Sequence, residues 1–236
     1  MERFYKIAGL TVKMDTFGRT EKQAENYLCE PCDNYDFCVE PMRELACRKY
    51  PHWSEDMREY MFTGAAFYRR LLEFDGLMLH SSAVVVEGRA YLFSADSGVG
   101  KSTHTNLWLQ LLGDRAYILN DDKPALRLEK GVFYAYGTPW SGKNDISVAE
   151  RIPVAGIAFV ERGETNRIEP FKGSAAVAAI YKQVNHPKTS ECRIKVLELM
   201  DKMVKNIPIW RLQCNMDIGA AKVSYAAMSG KKCDER

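Results

Sequence analysis

Apolar positions recur at two periods along the chain, and the switches between them mark out its elements. FYKIAGLTVKM (4–14) alternates apolar with polar residues and predicts a strand pair or one long strand. Gly18 to Pro51 keep neither period. They are rich in Cys, Pro and Asp, with YDFCVE as one short strand. Ser54 then predicts a helix N-cap, and Met57, Met61, Ala65, Tyr68 and Leu72 follow at helical spacing as far as Phe74, before Asp75-Gly76 ends the helix. LMLHSSAVVVEGRAYLFSAD (77–96) holds two strand-like runs around Glu87-Gly88-Arg89, an antiparallel hairpin.

A loop of small residues comes next, followed by a helix over THTNLWLQLLG that closes at Gly113. AYILNDDKPALRLEKGVFYAYGTPW (116–140) reads as strand, acidic turn and a second hairpin around Lys130-Gly131, and IPVAGIAFVER as a buried strand. Helices are predicted over Ser174–Val184 and Glu191–Lys205, the second with Ile194, Leu197, Met200 and Val204 on one face. IPIWRLQC is a strand and Asp217–Met228 a last helix. Strands and helices alternate, yet hairpins flank the loop, so the expected class is α/β with a mixed rather than purely parallel sheet.

A chain of 236 residues can bury one sizeable core. The expected division is a small Cys-containing, strand-rich lobe over 1–53, packed on a nucleotide-binding domain over 54–236. A net charge of +2 provides no field that would argue for nucleic acid or a membrane surface. No apolar run reaches the length of a membrane helix and the first residues show no leader pattern, so the cytoplasm is the expected location. Self-association is left open.

The chemistry gathers in SADSGVGKST (94–103). Ala95-x-x-x-x-Gly100-Lys101-Ser102 fits a phosphate-binding loop (P-loop), with Ala in the first position. Over Ala95, Asp96, Ser97, Gly98, Val99 and Gly100 the backbone can curl its N–H groups toward phosphate oxygens, and the helix beginning near Lys101 adds the positive end of its dipole. Lys101 can reach the outer phosphates of ATP, and the hydroxyl of Ser102, next to Thr103, can ligate Mg²⁺. Asp121 and Asp122 end an apolar strand, where one can serve Mg²⁺ and the other can accept a proton from an attacking hydroxyl, unless they are simply a solvated acid pair at a turn. His80 opens the strand before the loop and comes near the outer phosphate if the hairpin folds back beside it. His104, one helical turn beyond Lys101, reads as a helix-surface residue. In GTPWSGK, Trp140 and Lys143 suit either an acceptor-binding loop or a hairpin end with the indole in the core. Arg151 and Arg162 are candidates for stabilising transferring charge or for solvated surface positions.

HSSAVVVEGRAYLFSADSGVGKST, LNDDKP and GTPWSGK together resemble the catalytic domain of HPr kinase/phosphorylase, whose superfamily shares its nucleotide site with phosphoenolpyruvate carboxykinase. The resemblance covers about residues 76–145. It implies a mixed-sheet α/β core and an ATP–Mg²⁺ site built from His80, Lys101, Ser102, Asp121 and Asp122. It implies a serine-kinase-like phosphotransferase acting on a hydroxyl of a peptide, protein or small molecule. YGTPWSGKND replaces the Arg-Gly-rich signature of true HPr kinases, so neither HPr as acceptor nor the reverse reaction is implied. Two alternatives stand beside this reading: a non-catalytic nucleotide sensor or adaptor of the same fold, and an ordinary P-loop ATPase or metabolite kinase, which would need an all-parallel sheet around the loop.

The spacing Cys29-x2-Cys32-x5-Cys38-x8-Cys47 suits zinc or an iron–sulfur cluster, but it also suits plain thiols, with Cys38 on a strand pointing into a core. Cys192, Cys214 and Cys233 read as structural.

Overall fold

The computed structural model describes residues 2–231; Cys233 lies outside them. The first part of the chain runs β1 (Glu2–Ile7), β2 (Leu10–Asp15), α1 (Gly18–Gln23), β3 (Leu28–Cys29), β4 (Phe37–Val39), α2 (Arg43–Lys49) and α3 (Glu55–Leu71). Next are β5 (Gly76–Met78), β6 (Ser81–Val86), β7 (Arg89–Ser94), α4 (Lys101–Leu112), β8 (Ala116–Asn120), β9 (Ala125–Glu129), β10 (Val132–Tyr136) and β11 (Arg151–Arg162). Last come β12 (Arg167–Pro170), α5 (Gly173–Gln183), α6 (Ser190–Asn206), β13 (Ile209–Cys214) and α7 (Ile218–Ser229).

Three hairpins turn on paired residues at positive φ: Ala8-Gly9, Glu87-Gly88 and Lys130-Gly131. Two successive left-handed residues match the twist of paired strands, so 4–14 folds as a strand pair, β1–β2, and not as one long strand. A four-stranded sheet has the order β3-β1-β2-β4, and a nine-stranded sheet contains the path β5-β9-β10-β11-β7-β6-β8, with β13 beside β11 and β12 beyond β13. Within the larger sheet β7 is antiparallel to β6 and parallel to β11. The sheet is therefore mixed, and the all-parallel surround of an ordinary P-loop enzyme is absent. No helix among the described residues is long and apolar enough to cross a membrane.

The larger sheet is covered on both faces. One core cluster joins its strands to Ile180 of α5 and Leu199 and Met203 of α6; another joins them to Trp108 of α4 and Tyr225 of α7. A third is shared by Tyr5, Val12 and Met14 of the small sheet, Phe67 and Leu71 of α3, and Ala125, Tyr136 and Trp140. Arg127 of β9 joins the sheets by donating to the Ala8 carbonyl at 2.8 Å.

Several expectations change. Ser54 does cap α3, its hydroxyl accepting from the Met57 amide at 3.2 Å. The buried stripe of α3, however, is Tyr60, Thr63, Gly64, Phe67 and Leu71, while Met57, Met61 and Ala65 face outward. The reason is Trp140. It stacks on Phe67 with ring centroids 4.8 Å apart and sits so close to Gly64 that a Cβ there would lie 2.8 Å from the indole. Burying that aromatic pair outweighs burying two methionines. In α6, Val196, Leu199, Met200 and Met203 face the core, leaving Ile194 and Leu197 exposed. The stretch 18–51 is more regular than its composition predicts, holding α1, α2, β3 and β4.

The cysteine expectation also changes. Cys29, Phe4, Lys13 and Cys38 form one row across the small sheet, with the two cysteines on its opposite edges. Three strand spacings of about 4.8 Å put them roughly 14 Å apart, too far to share an ion. No group of three or more His, Cys, Asp or Glu side chains among the described residues could hold a metal, so Cys29, Cys32, Cys38 and Cys47 form no such centre. Cys38, between buried Phe37 and Val39, lies on the outward face of its strand and not in a core.

Candidate functional site

β7 delivers the chain into the loop at 95–100, and α4 leaves it. Gly98 has φ +81° and Gly100 φ +131°, a conformation that L side chains rarely adopt, and a Cβ at either would meet nothing within 4 Å. Gly100 is also the N-cap of α4 with no side-chain cap, so the first helical amides stay available to a ligand. From the outside Arg162 grips the loop, donating to the carbonyls of Gly98 at 2.6 Å and Val99 at 3.2 Å. Arg151 instead pairs with Glu129 at 2.8 Å.

The loop opens on a cleft of about 590 Å³, lined by Ser97, Gly98, Gly100, Lys101, Ser102 and Thr103 at one end. Ala95, Asp96 and Val99 stand behind it. Lys101, largely buried, donates to the Ala95 carbonyl at 3.0 Å, and burial, partly offset by Asp122, Asp121 and Asp96, pulls its pKa down.

Asp121 and Asp122 follow β8 and face the middle of the cleft. Asp121 is buried and accepts from Ser82 at 2.9 Å, Asn144 at 2.8 Å and Ser102 at 3.3 Å. Asp122 meets His80 Nε2 at 3.2 Å and the Lys123 ammonium. Burial alone would raise its pKa, but the His80 hydrogen bond and the Lys123 charge prevail and hold it at about 2. Asp122 is a settled carboxylate. His80 therefore does lie beside the acid pair.

Gln183, at the end of α5, was not legible from the sequence. Its amide nitrogen donates to Asp96 at 2.7 Å, its oxygen is 2.9 Å from His80 Nδ1, and its carbonyl accepts from the His80 amide at 2.8 Å. It ties the loop to the histidine from a distant helix, which no local motif encodes. Arg19 was missed for the same reason. It comes from α1, donates to the Gly142 carbonyl, and lies with its guanidinium 4.0 Å from the Tyr60 ring centroid.

The far end of the cleft is lined by Arg19, Met57, Tyr60, Lys123, Gly142, Lys143 and Asn144. Trp140 is not there. It is 1% exposed in the shared core, so of the pair in GTPWSGK only Lys143 faces the cleft. His104 is likewise inside, not on the surface: α4 packs on α7, and His104 Nε2 lies 3.0 Å from Ser224 Oγ. Burial holds its pKa at about 4.

Fold and cleft define an α/β protein with a mixed sheet whose loop–helix junction faces a pair of carboxylates. A family model described as SynChlorMet cassette protein ScmC matches residues 45–220, and the chain belongs to that family. Among solved structures it is similar to the Hpr(Ser) kinase/phosphatase from Coxiella burnetii, with 12% identity and a TM-score of 0.37 over 65% of this chain and 97% of that one. That likeness is too distant to bear on activity. No curated protein sequence matches the chain.

Proposed function

We propose that the cleft binds ATP with Mg²⁺ and transfers the terminal phosphoryl group to a hydroxyl, serine being the first candidate. One observation carries this reading. The hydroxyl at the start of α4, Ser102, is hydrogen-bonded to Asp121, and next to it Asp122 is held by His80, which immediately precedes β6, the antiparallel partner of the strand that enters the loop.

The donor set suits a hard divalent ion: Ser102 Oγ and Asp121 Oδ2 lie 3.3 Å apart, both oxygens, at the mouth of an uncapped helix. These two residues would hold Mg²⁺, which when bound neutralises phosphate charge. The open space over Gly98 and Gly100 admits phosphate oxygens to the main-chain amides, and Lys101 provides a further cation.

Asp122 orients the acceptor hydroxyl. The new bond forms between the acceptor oxygen and the terminal phosphorus. The bond from that phosphorus to ADP breaks, ADP leaves with the electron pair, and the hydroxyl proton passes to the Asp122 carboxylate. A pKa of about 2 makes Asp122 a weak base, which suits a loose transition state in which positioning matters more than early proton removal. His80, held by Gln183, keeps Asp122 aimed.

The test is mass spectrometry of products after incubation with ATP-Mg²⁺ and serine-bearing acceptors from host lysate, with Lys101→Ala as control. Phosphorylated products that vanish in the variant are expected. Tight nucleotide binding with no transfer to any acceptor would overturn the kinase reading in favour of a nucleotide sensor.

A further inference from the structure

The far end of the cleft differs chemically from the loop end. Arg19 is half-buried, fixed by Tyr60, the Gly142 carbonyl and Gln23 Oε1 at 3.2 Å, and its guanidinium has no carboxylate partner among the described residues. Lys143, on the same wall, makes no hydrogen bond or ion pair there either. The cleft's own acids cannot neutralise them. Asp121 is taken by Ser82, Ser102 and Asn144, and Asp122 by His80 and Lys123. Two cations are thus left for a ligand on the side away from the phosphate loop.

The outward face of α3 continues from this end. Met57 lines the cleft, and Met61 is one turn beyond; they are 39% and 38% exposed. Methionine's flexible, polarizable side chain suits contact with variable partners. An apolar track that starts at the mouth of a cationic pocket fits an extended chain better than a compact metabolite.

We propose that the acceptor is a peptide segment whose serine or threonine is flanked by aspartate or glutamate, the acid bound by Arg19 and Lys143 and the following residues lying along Met57 and Met61. This rests on the kinase reading of the same cleft. Arg19 lies outside the family-matched residues 45–220, whereas Lys143, Met57 and Met61 lie inside them, so the N-terminal part of the chain would add one anchor to an acceptor site otherwise built on the matched part.

The experiment uses the full chain and peptides of one frame, a central serine flanked by Asp, Asn or Lys. A charge-assisted hydrogen bond corresponds to about 10- to 100-fold in kcat/KM, so the Asp peptide is expected to lead the Asn peptide by that factor. Arg19→Gln is expected to erase most of the lead. Because Arg19 also holds Gly142, Lys143→Gln provides a second variant whose side chain holds nothing in the fold, expected to narrow the lead several-fold.

Equal use of the three peptides, or a lead that survives both variants, would overturn the acidic-acceptor proposal and leave the kinase reading intact. Binding is measured in parallel, by fluorescence anisotropy of the labelled Asp peptide on protein loaded with a non-hydrolysable ATP analogue. Arg19-dependent binding without transfer would sink the kinase reading yet support the peptide site. Neither binding nor transfer would remove the peptide site and leave the kinase reading to the lysate test.

Discussion

The glycines at the two ends of the cleft differ in what surrounds them. At the loop end, Gly98 and Gly100 are needed for their backbone angles and have empty space where a side chain would go. Gly137, at the head of the segment that leads to the far end, sits against the main chain, where an added Cβ would lie 1.9 Å from the Val148 carbonyl oxygen. Gly142, on the far end's wall, combines a φ of +80° with close packing, an added Cβ lying 2.8 Å from Asp122 Cβ. Around the loop glycines the space beside the backbone is open. Behind the wall of the far end the space beside Gly142 is filled by Asp122, and that packing helps to seat the carboxylate.

What stands behind each end differs too. Behind the loop, α4 is locked to α7 by His104, and by Trp108, which donates to Ser224 at 2.8 Å. Behind the far end, α1 is fastened to α3 through Thr20, which donates to the buried carboxyl of Glu59. Burial, with partial relief from Thr20 and Phe17, pushes the Glu59 pKa up to about 7. One buried titratable group has its charged form suppressed from above, the other from below.

Gly137→Ala puts the greatest stress on this contrast. The clash is with backbone, so a loss of about 3–5 kcal/mol is expected from urea unfolding. A variant as stable as the parent would show that the packing behind this segment can yield and would break the comparison.

The pH dependence comes next. His104 titrates at about 4 folded against 6.5 ordinarily, so its contribution is complete above pH 6.5 and drains away as pH falls toward 4. The amount is on the order of 3 kcal/mol. Glu59 acts the other way: holding its proton up to about 7 against 4.5 ordinarily, it loses stability for the fold as pH rises from 4.5 to 7. The two slopes oppose each other between pH 4.5 and 6.5. Glu59→Gln is expected to unmask the histidine, giving stability that climbs with pH across that window in urea melts, whereas the parent stays flatter. Identical profiles would show that one of the two anchors is not buried as described.

Gly100→Ala tests the open end. A φ of +131° is strained for alanine, so about 1–3 kcal/mol is expected, without a clash and with the fold retained. Nucleotide affinity, read by calorimetry, is expected to fall much further than stability does. Unimpaired binding would mean that the loop amides do not contact phosphates.

The smallest effect is at Arg162. It holds the loop only from an exposed outer side, so Arg162→Ala is expected to change stability by less than about 0.5 kcal/mol and nucleotide affinity a few-fold. A loss as great as that of Gly100→Ala would place the arginine in the site itself.

Local chemistry was legible wherever it is encoded in consecutive residues. Glu87-Gly88 and Lys130-Gly131 mark two hairpins, Ser54 marks the start of α3, and 95–102 marks the loop–helix junction, whereas the turn at Ala8-Gly9 left a strand pair and one long strand both open. Helix faces were less legible. Two apolar stripes compete on α3, and only the position of Trp140, more than sixty residues downstream, chooses between them. The cysteines mislead in the same way, since close spacing in sequence becomes opposite edges of a sheet.

The sequence by itself determined the mixed α/β character, two of the hairpins, the glycine-rich loop and the acid pair, because each depends on interactions among near neighbours in the chain. Only the tertiary structure decided that His80 meets Asp122, that Gln183 joins them to the loop, that Arg19 enters from the small sheet's side, and that Trp140 and His104 are inside. Those outcomes follow from which surfaces exclude water together. That competition is settled among residues from about forty to more than a hundred positions apart.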